Sequence, residues 1–413
     1  MGGTTAKVCL IAGGAPDRSR RFEVARIYRD LKGSGLPLRI PVIDMVEIGA
    51  GGGSIGRVDR LGRITVGPDS AGADPGPASY RRGGAFAAVT DANLLLGRID
   101  PDGFAGGEIA LDPSLAEAAV KRDLCDPLDM ECPWAAAGMI EIVDENMANA
   151  ARVHAIERGR VIGRHSMIAF GGSAPLHAAR LAEKLGIERV IVPVGAGVGS
   201  AIGFLRAPLA YEVVRSRRMA LDVFDASAAN GLIAAMAEAA LDVLTPALGE
   251  RLTKTEPERS LAVDMRYIGQ GHELSISLPT RDLEPVDSEA IAAIFEETYQ
   301  AIYGVRLDHV GIEITAWSLT LSVPVSKTPT AVTPATVRYS AKPIGNRNVY
   351  DPGEGAFQPC AIYRRADLLP GMSCEGPAVV VEDQTSTVVP TGWQASVTGD
   401  LGIVLERAGE GAS

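Results

Sequence analysis

Apolar and polar positions follow two different patterns along the chain, and the change lies near residue 217. Before that point, short apolar runs at 8–12, 167–170 and 190–194 lie between glycine-rich loops and predict strands. Apolar residues at helical spacing predict a helix from about 134 to 158, and a second helix from 176 to 185 that ends at a glycine cap. Because strands alternate with helices, this part is predicted to have an α/β core.

Beyond residue 217 the pattern favours α+β structure. An alanine-rich helical pattern at 228–244 is followed by a strand pair within 261–279. A further helix is predicted at 288–303, and strict alternation of apolar and polar residues predicts a strand at 311–323. These elements predict a region in which helices and antiparallel strands pack together.

The last quarter of the chain begins with a segment rich in threonine and proline. This segment, 325–343, is typical of a linker or an extended strap. Alternating runs that follow it predict a small β unit at the end of the chain. The predicted domains are therefore an α/β lobe at 1–216 and an α+β and β-rich C-terminal region at 217–413.

The composition is that of a soluble globular protein with room for two or three domains: 413 residues, 46% apolar and 22% charged. A formal charge of -11 argues against a nucleic-acid partner, because no basic stripe is available to displace counterions from phosphates. No apolar run reaches the roughly 20 residues that a membrane span needs, so no membrane partner is expected. Residues 1–20 lack the regions of a signal peptide, so we expect a cytoplasmic protein with reduced cysteines.

Metal-binding patterns are weak. Cys125 and Cys132 flank a loop-like "CDPLDMEC", but without a nearby histidine we expect ordinary free thiols there rather than a metal site. The five histidines include no HxxxH or HxH pair, so the ligands of any metal stay unknown. His177, two residues past Pro175 at a predicted helix start, either contacts substrate or is structural.

The opening "MGGTTAKV" has the composition of a phosphate-binding turn. Gly2, Gly3, Thr4 and Thr5 expose backbone N–H groups and hydroxyls without bulky side chains, and such groups can surround a phosphate. Lys7 adds a positive charge. A plain hairpin turn is the alternative that the residues alone leave open.

A second glycine loop lies in "IAFGGSAPLHA". An apolar strand runs into Gly171 and Gly172, and a helix is predicted to start near Pro175. This order places backbone N–H groups and the positive end of a helix at one spot, where an adenosine or a phosphate can pack. The alternative is an ordinary tight turn between a strand and a helix.

A third loop, "EIGAGGGSIGRVD", contains three consecutive glycines, Gly51, Gly52 and Gly53. Glycine loses more conformational freedom on folding than other residues, so such a run indicates close approach of a ligand or of another backbone. A flexible surface loop is the alternative.

Carboxylates form the fourth candidate group. Asp69, Asp74 and Asp91 stand among prolines and glycines that restrict the backbone. Carboxylates on rigid loops can hold Mg²⁺ or orient a nucleophile, whereas aspartates of this kind also serve simply as turn residues.

Eight segments occur in an order that is highly specific: "MGGTTAKV", "EIGAGGGSI", "VGPDSAGADPGPASY", "VTDANLLLGR", "AFGGSAPLHA", "VGAGVGSAIGFL", "MRYIGQGHEL" and "GPAVVVEDQTSTVVPTGW". Together they resemble the ATP-dependent hydantoinase and 5-oxoprolinase family, in its A-type subunit, through nearly the whole chain. The resemblance implies an actin-like (sugar-kinase/Hsp70-like) ATPase lobe that binds ATP and Mg²⁺ in a cleft between two lobes. It also implies phosphorylation of the carbonyl oxygen of a small cyclic amide, after which a hydantoinase B-like partner completes ring opening.

The resemblance assigns roles to particular residues. The implied phosphate contacts are Gly2, Gly3, Thr4 and Thr5, and the implied adenosine border is Gly171, Gly172, Ser173 and Ala174. We add Gly51, Gly52 and Gly53 as predicted nucleotide contacts, and Asp74, Asp91 and His177 as predicted catalytic groups.

Two departures from the family pattern shape the expectation. Family members usually have an aspartate before "MGG" and a first lobe with its own phosphate loop, and neither lies in this chain. Ser79 and Ala88 also replace a usual cysteine and threonine. We therefore expect a C-terminal portion that is weak or inactive alone and needs the other lobe in trans or on a longer chain. The alternatives are a subunit of an acetone or acetophenone carboxylase-like enzyme, and a non-catalytic assembly subunit.

Overall fold

The computed structural model describes residues 1–19, 22–25, 27, 34–38, 40, 42–249, 256–324 and 339–407. These residues fall into two units. The first unit contains residues 1–202 together with 339–407, and the second contains the described residues of 203–324. Most of the predicted linker, 325–338, lies outside the described residues.

The helices and strands have the following bounds. The α-helices of the described residues are α1 (Val89–Leu95), α2 (Pro113–Val120), α3 (Asp126–Leu128), α4 (Cys132–Glu157), α5 (Ala174–Leu185), α6 (Gly199–Arg206), α7 (Ala226–Leu248) and α8 (Asp287–Tyr303). The strands up to residue 220 are β1 (Ala6–Cys9), β2 (Ile11–Ala12), β3 (Ala15–Pro16), β4 (Arg18–Ser19), β5 (Phe22–Val24), β6 (Leu36–Leu38), β7 (Val42–Ile43), β8 (Met45–Ile48), β9 (Ser54–Val58), β10 (Ile64–Ser70), β11 (Met167–Ile168), β12 (Arg189–Val192) and β13 (Leu209–Ala220). The later strands are β14 (Glu258–Tyr267), β15 (Leu274–Leu278), β16 (Ile312–Val323), β17 (Tyr339–Ser340), β18 (Gly345–Asp351), β19 (Ala356–Arg364), β20 (Met372–Glu375), β21 (Ala378–Val381), β22 (Ser386–Val389), β23 (Trp393–Val397) and β24 (Ile403–Arg407).

The first unit is built on a mixed six-stranded sheet with the order β11-β12-β24-β23-β20-β17. Strand β12 pairs in parallel with β11 and antiparallel with β24. Val190 and Val192 of β12 are fully buried, which is typical of a strand that has a partner on both edges. The predicted α/β class is thereby confirmed as an α/β structure with mixed sheets.

Four of the C-terminal strands, β17, β20, β23 and β24, belong to this first sheet, and the other four form a second sheet of the same unit with the order β18-β19-β21-β22. The sequence prediction groups everything after residue 216 into one region, whereas in the structure β24 pairs with β12 and residues 339–407 lie in the first unit. The indole N–H of Trp393 on β23 donates to Glu183 Oε1 of α5 at 2.9 Å, and the Trp393 side chain is almost fully buried. Apolar side chains of β23 and β24 pack in the same core as those of α5 and β12, and this burial explains why the C-terminal strands belong to the first unit.

The longest helix, α4, confirms the helix predicted from apolar spacing. Its buried side includes Met139, Ile140 and Val143, which pack in a core with α1 and with strand β8. Helix α5 begins at Ala174 with a proline in its first turn and ends at Gly186, whose φ of 66° suits a glycine cap. Both helices carry residues of the site described below.

The second unit is an antiparallel sheet, β13-β16-β14-β15, with helices α7 and α8 packed against it. Trp317 and Phe295 are fully buried in its core, and Tyr267 meets Phe295 edge to face at 5.1 Å. By length and composition alone, α7 is apolar enough to cross a membrane. One such helix is weak evidence, and its buried residues, among them Met236 and Leu244, pack in the core of this unit.

Candidate functional site

The opening loop and the triple-glycine loop are joined backbone to backbone. Gly52 N donates to Gly2 O at 2.9 Å, and Gly53 N donates to Gly3 O at 2.6 Å. A Cβ atom on Gly51 would lie 2.5 Å from the Thr4 nitrogen and 2.6 Å from the Gly3 carbonyl. The glycine at position 51 is therefore needed because another backbone approaches it, one of the two reasons that the sequence suggested.

The second glycine loop, at 170–174, meets the same opening residues. Ser173 N and Ala174 N both donate to Met1 O at 3.2 Å. Gly171 has a φ of 102°, and a Cβ there would lie 2.2 Å from Met1 O, so only glycine fits without displacing the opening loop. The structure thus brings the three predicted glycine loops, residues 1–5, 49–54 and 170–174, into one cluster, which we call the joined loops.

One part of the joined loops is open. Gly3 and Thr4 are exposed, and a Cβ on Gly2 or Gly3 would have nothing within 4 Å. The hydroxyls of Thr4 and Thr5 lie 3.2 Å apart at this tip. Small residues, open space and hydroxyl groups are what a phosphate group requires, so the residues present fit the phosphates that the family resemblance implies.

The loop at 70–76 borders the joined loops and carries Asp74. Ala71 N donates to Gly53 O at 2.8 Å, and Gly72 N donates to the Ser70 hydroxyl at 3.2 Å. Asp74 is exposed on this loop. Among the three residues predicted to be catalytic, it is the one whose carboxylate is accessible to a ligand.

Asp91 lies in a different environment. It is fully buried, and its carboxylate accepts hydrogen bonds from the backbone N–H groups of Ala78, Ser79 and Ala88 at 2.9–3.1 Å. Burial raises the pKa of Asp91, and the hydrogen bonds from Ser79, Ala88 and Ala78 oppose that effect. The carboxylate ties the turn at 78–80 to the start of α1, so its position is a supporting one.

His177 is buried in a polar cluster between helices. Its Nδ1 lies 2.7 Å from Asp144 Oδ1, and its Nε2 lies 3.4 Å from Asn93 Nδ2. Arg98 Nη1 donates to Asn93 Oδ1 at 3.4 Å, and burial lowers the pKa of the Arg98 guanidinium while Asp144 opposes that effect. His177 is 1% exposed and Asp144 is fully buried, so this histidine holds α5 against α4 beneath the joined loops.

A cavity of about 430 Å³ lies on the other border of the 170–174 loop. Gly172 and Leu176 line it, facing the apolar side chains of Ile99 and Phe104. This volume lies within the range of small-molecule sites. An apolar wall next to a glycine loop fits a flat base, which the implied adenosine would supply.

Sequence reasoning missed the segment 382–386 as a part of the site. It lines the cavity, and the Thr385 hydroxyl donates to Gly172 O at 3.0 Å. Behind it, Arg365 Nη1 lies 3.9 Å from Glu382 Oε1, where burial lowers the pKa of Arg365 and raises that of Glu382. The segment belongs to the "EDQTST" motif. Its run of polar residues interrupts an apolar strand pattern, and this interruption is the sequence feature that could have identified it as part of the site.

The residues that the structure describes contain no group of three or more histidine, cysteine or acidic side chains arranged to hold a metal ion. Mg²⁺ often keeps several waters and binds through one or two carboxylates together with substrate phosphates. Asp74 is the exposed carboxylate beside the joined loops that suits this mode.

The chain belongs to the hydantoinase/oxoprolinase family. The family's sequence profile matches residues 1–213, and the profile of the hydantoinase/oxoprolinase C-terminal domain matches residues 222–400.

Particular relatives are similar over nearly the whole chain. An uncharacterised protein of Methanocaldococcus jannaschii is 34% identical over 400 residues, covering 96% of this chain and 56% of that protein. The caprolactamase subunit alpha of Pseudomonas jessenii is 30% identical over 400 residues, again 96% of this chain and 56% of the relative.

Two solved structures share the fold. The crystal structure of the ATP-dependent caprolactamase from Pseudomonas jessenii superposes with a TM-score of 0.75 and 28% identity, covering 98% of this chain and 58% of that one. A nucleotide-free structure of acetone carboxylase, which carries out ATP-dependent acetone carboxylation, gives a TM-score of 0.79 and 28% identity, covering 98% of this chain and 57% of that one. The chain spans little more than half the length of these relatives.

Proposed function

We propose that this chain is an ATP-binding portion of an actin-like enzyme that opens small cyclic amides at the expense of ATP. The observation that carries the proposal is the cluster of joined loops, in which three glycine segments distant in sequence leave an open, hydroxyl-bearing tip at Gly3 and Thr4. Similarity to a caprolactamase subunit supports a lactam as the substrate class. Phosphoryl transfer mainly needs positioning and charge stabilisation, which backbone donors and hydroxyls can supply.

Each part of the site has a role in this proposal. The backbone and hydroxyls of Gly2, Gly3, Thr4 and Thr5 hold the phosphates, and the positive end of α5 adds to the field there. The cavity beside Gly172 holds the nucleoside against Phe104. ATP supplies the phosphoryl group that makes the amide carbonyl electrophilic. Asp74, exposed at the edge of the joined loops, would hold Mg²⁺, which would offset the charge of the phosphates.

The assembly is also part of the proposal. Relatives are named as subunits, among them caprolactamase subunit alpha and acetone carboxylase beta subunit. We propose a cytoplasmic hetero-oligomer in which a hydantoinase B-like subunit completes ring opening. The portion of these relatives that this chain does not cover supplies the other lobe of the ATP site, either in trans or on a longer chain.

The test is substrate-stimulated ATP hydrolysis by the protein isolated with its partners. We expect caprolactam, 5-oxoproline or hydantoin to raise the rate of phosphate release and to yield the opened amino acid or ureido acid. A rate raised by acetone or acetophenone with bicarbonate, and by none of the cyclic amides, would instead support a carboxylase, the second candidate, which rests on the 30% identity over 411 residues to an acetone carboxylase beta subunit. If the complete assembly binds no nucleotide, the result would support a non-catalytic, structural role for this chain.

The threonines at the tip give a specific prediction. Replacing Thr4 with valine keeps the shape of the side chain and removes a hydroxyl that is exposed for a ligand. We expect kcat/KM for ATP to fall about 10- to 100-fold, since a hydrogen bond to a charged group contributes about 1.5–3 kcal/mol. The free energy of unfolding should change by less than about 0.5 kcal/mol.

A matched control exists on strand β10. The exposed Thr65 hydroxyl donates to Arg57 O at 3.3 Å and lies outside the joined loops. Thr65→Val should leave kcat/KM unchanged. Equal losses in both variants, or no loss in Thr4→Val, would contradict the assignment of the phosphates to this tip.

A further inference from the structure

Two of the five cysteines lie in contact. Cys125 Sγ and Cys132 Sγ are 2.7 Å apart, and both are free thiols. Cys125 ends the turn at 121–125 and is 4% exposed, whereas Cys132 is the first residue of α4 and is partly exposed. A contact this close between two thiols brings the sulfur atoms within reach of each other for a covalent bond.

A metal does not account for this pair. The sequence favours free thiols over a metal site around "CDPLDMEC", and no cluster of three potential ligands is present in the described part of the chain, which includes 125–132 entirely. Two thiols alone are too few for the four ligands of a structural zinc site.

We propose that Cys125 and Cys132 form a reversible disulfide, with hydrogen peroxide as the oxidant. The partly exposed Cys132 thiol reacts first, giving a sulfenic acid and one water. The Cys125 thiol then attacks the sulfenic sulfur, forming the S–S bond and releasing a second water. In total, two thiols and one peroxide give one disulfide and two waters, and the sulfurs lose the two electrons that the peroxide gains.

The order of the two steps follows from exposure. Cys125 is 4% exposed, so its thiol is shielded from a dissolved oxidant, and burial raises the pKa of that thiol. Its neighbour at the start of α4 is reached from solvent. Cys125 therefore acts as the resolving thiol, and its contact with Cys132 places it for that step.

The bond would fasten a turn that supports the joined loops. Asp123 Oδ2, in the same turn as Cys125, accepts from Ala87 N at 2.9 Å. Ala87 O in turn accepts from Gly56 N at 2.9 Å, and Thr90 N donates to Gly52 O at 2.7 Å. Oxidation would thus cross-link the turn at 121–125 to the first turn of α4. The proposed disulfide depends on the contact between Cys125 and Cys132 and does not depend on the proposed function.

Peptide mass spectrometry tests the proposal on the full chain. Both cysteines lie on one tryptic peptide, 123–152, whereas Cys9, Cys360 and Cys374 fall on others. After mild peroxide treatment we expect this peptide to lose about 2 Da and to resist alkylation, and dithiothreitol should reverse both changes. The exposed Cys9 serves as the internal measure of how much oxidant reached the protein.

Two further arms keep the test decisive. In Cys132→Ser the mass loss should disappear while oxidation of Cys9 continues. In the unsubstituted protein, the rate of disulfide formation should be about tenfold higher in the folded chain than in the chain unfolded in urea, because folding holds the two thiols together. The proposal is overturned if Cys9 oxidises while 123–152 keeps two alkylatable thiols, if either cysteine goes on to sulfinic acid, or if folding does not speed the reaction.

Discussion

Replacing Gly171 with alanine is expected to lower the free energy of unfolding by about 3–5 kcal/mol and to abolish ATP binding. The residue has a φ of 102°, and a built Cβ lies 2.2 Å from Met1 O and 2.8 Å from the Met1 carbonyl carbon. Both the backbone conformation and the clash oppose a side chain. Because the clash is with the opening loop, the joined loops themselves should separate. Denaturant unfolding and ATP titration of the same samples measure the two effects.

Gly186 provides the control. It ends α5 with a φ of 66°, and a Cβ there would have nothing within 4 Å, so Gly186→Ala changes the backbone preference without a clash. We expect a loss of only about 1 kcal/mol and unchanged ATP binding. If the two variants lose equal stability, the contact between the 170–174 loop and Met1 is not what requires glycine at 171.

Replacing His177 with alanine is expected to cost about 3–5 kcal/mol of stability, because it leaves the Asp144 carboxylate buried without its partner. Asp144 Oδ1 lies 2.7 Å from His177 Nδ1, and Asp144 Oδ2 has no hydrogen-bond partner among the residues that the structure describes. The double variant His177→Ala/Asp144→Ala should lose less than the sum of the single losses, since the two residues act as a pair. Urea unfolding of the three variants measures this.

Turnover separates a structural from a catalytic role for His177. If its role is structural, activity in His177→Ala should fall only as far as the folded fraction falls. The control on the same helix is Arg180→Ala, whose half-exposed ion pairs with Glu141 and Glu183 should contribute less than about 1 kcal/mol. A stable, fully folded His177→Ala protein with no turnover would show that the catalytic prediction was right and the supporting role wrong.

Local patterns predicted the elements of the fold better than their arrangement. The helices predicted at 134–158 and 176–185 are α4 and α5, each beginning two residues earlier, where a proline occupies the first turn. The predicted strand at 167–170 is shorter, because only residues 167 and 168 pair with β12. The pairing of β24 with β12 joins residues more than 200 positions apart, and no local pattern specifies such a partner.

The candidate site divides in a similar way. The glycine run at 51–53 correctly indicated close approach, but it could not show that the approaching group at 51 is the backbone of Gly3 and Thr4, and the sequence did not indicate the approach of Met1 to Gly171. Asp74 and Asp91 look alike in sequence, each in a segment rich in turn residues. They differ only in their packing: Asp74 is exposed, whereas Asp91 is buried and accepts hydrogen bonds from three backbone N–H groups. The role of 382–386 depends on a contact with Gly172 across the first unit, which the sequence order conceals.

The central claim is that the joined loops hold the phosphates of ATP. Hydrogen–deuterium exchange on the protein isolated in its native assembly, with and without ATP and Mg²⁺, tests it most directly. We expect slower exchange in the peptides that contain residues 1–5, 49–54 and 170–174, since phosphates bound at the tip would stabilise these mutually hydrogen-bonded loops against local opening. ATP that binds and is hydrolysed while exchange in all three loops stays unchanged would contradict the claim.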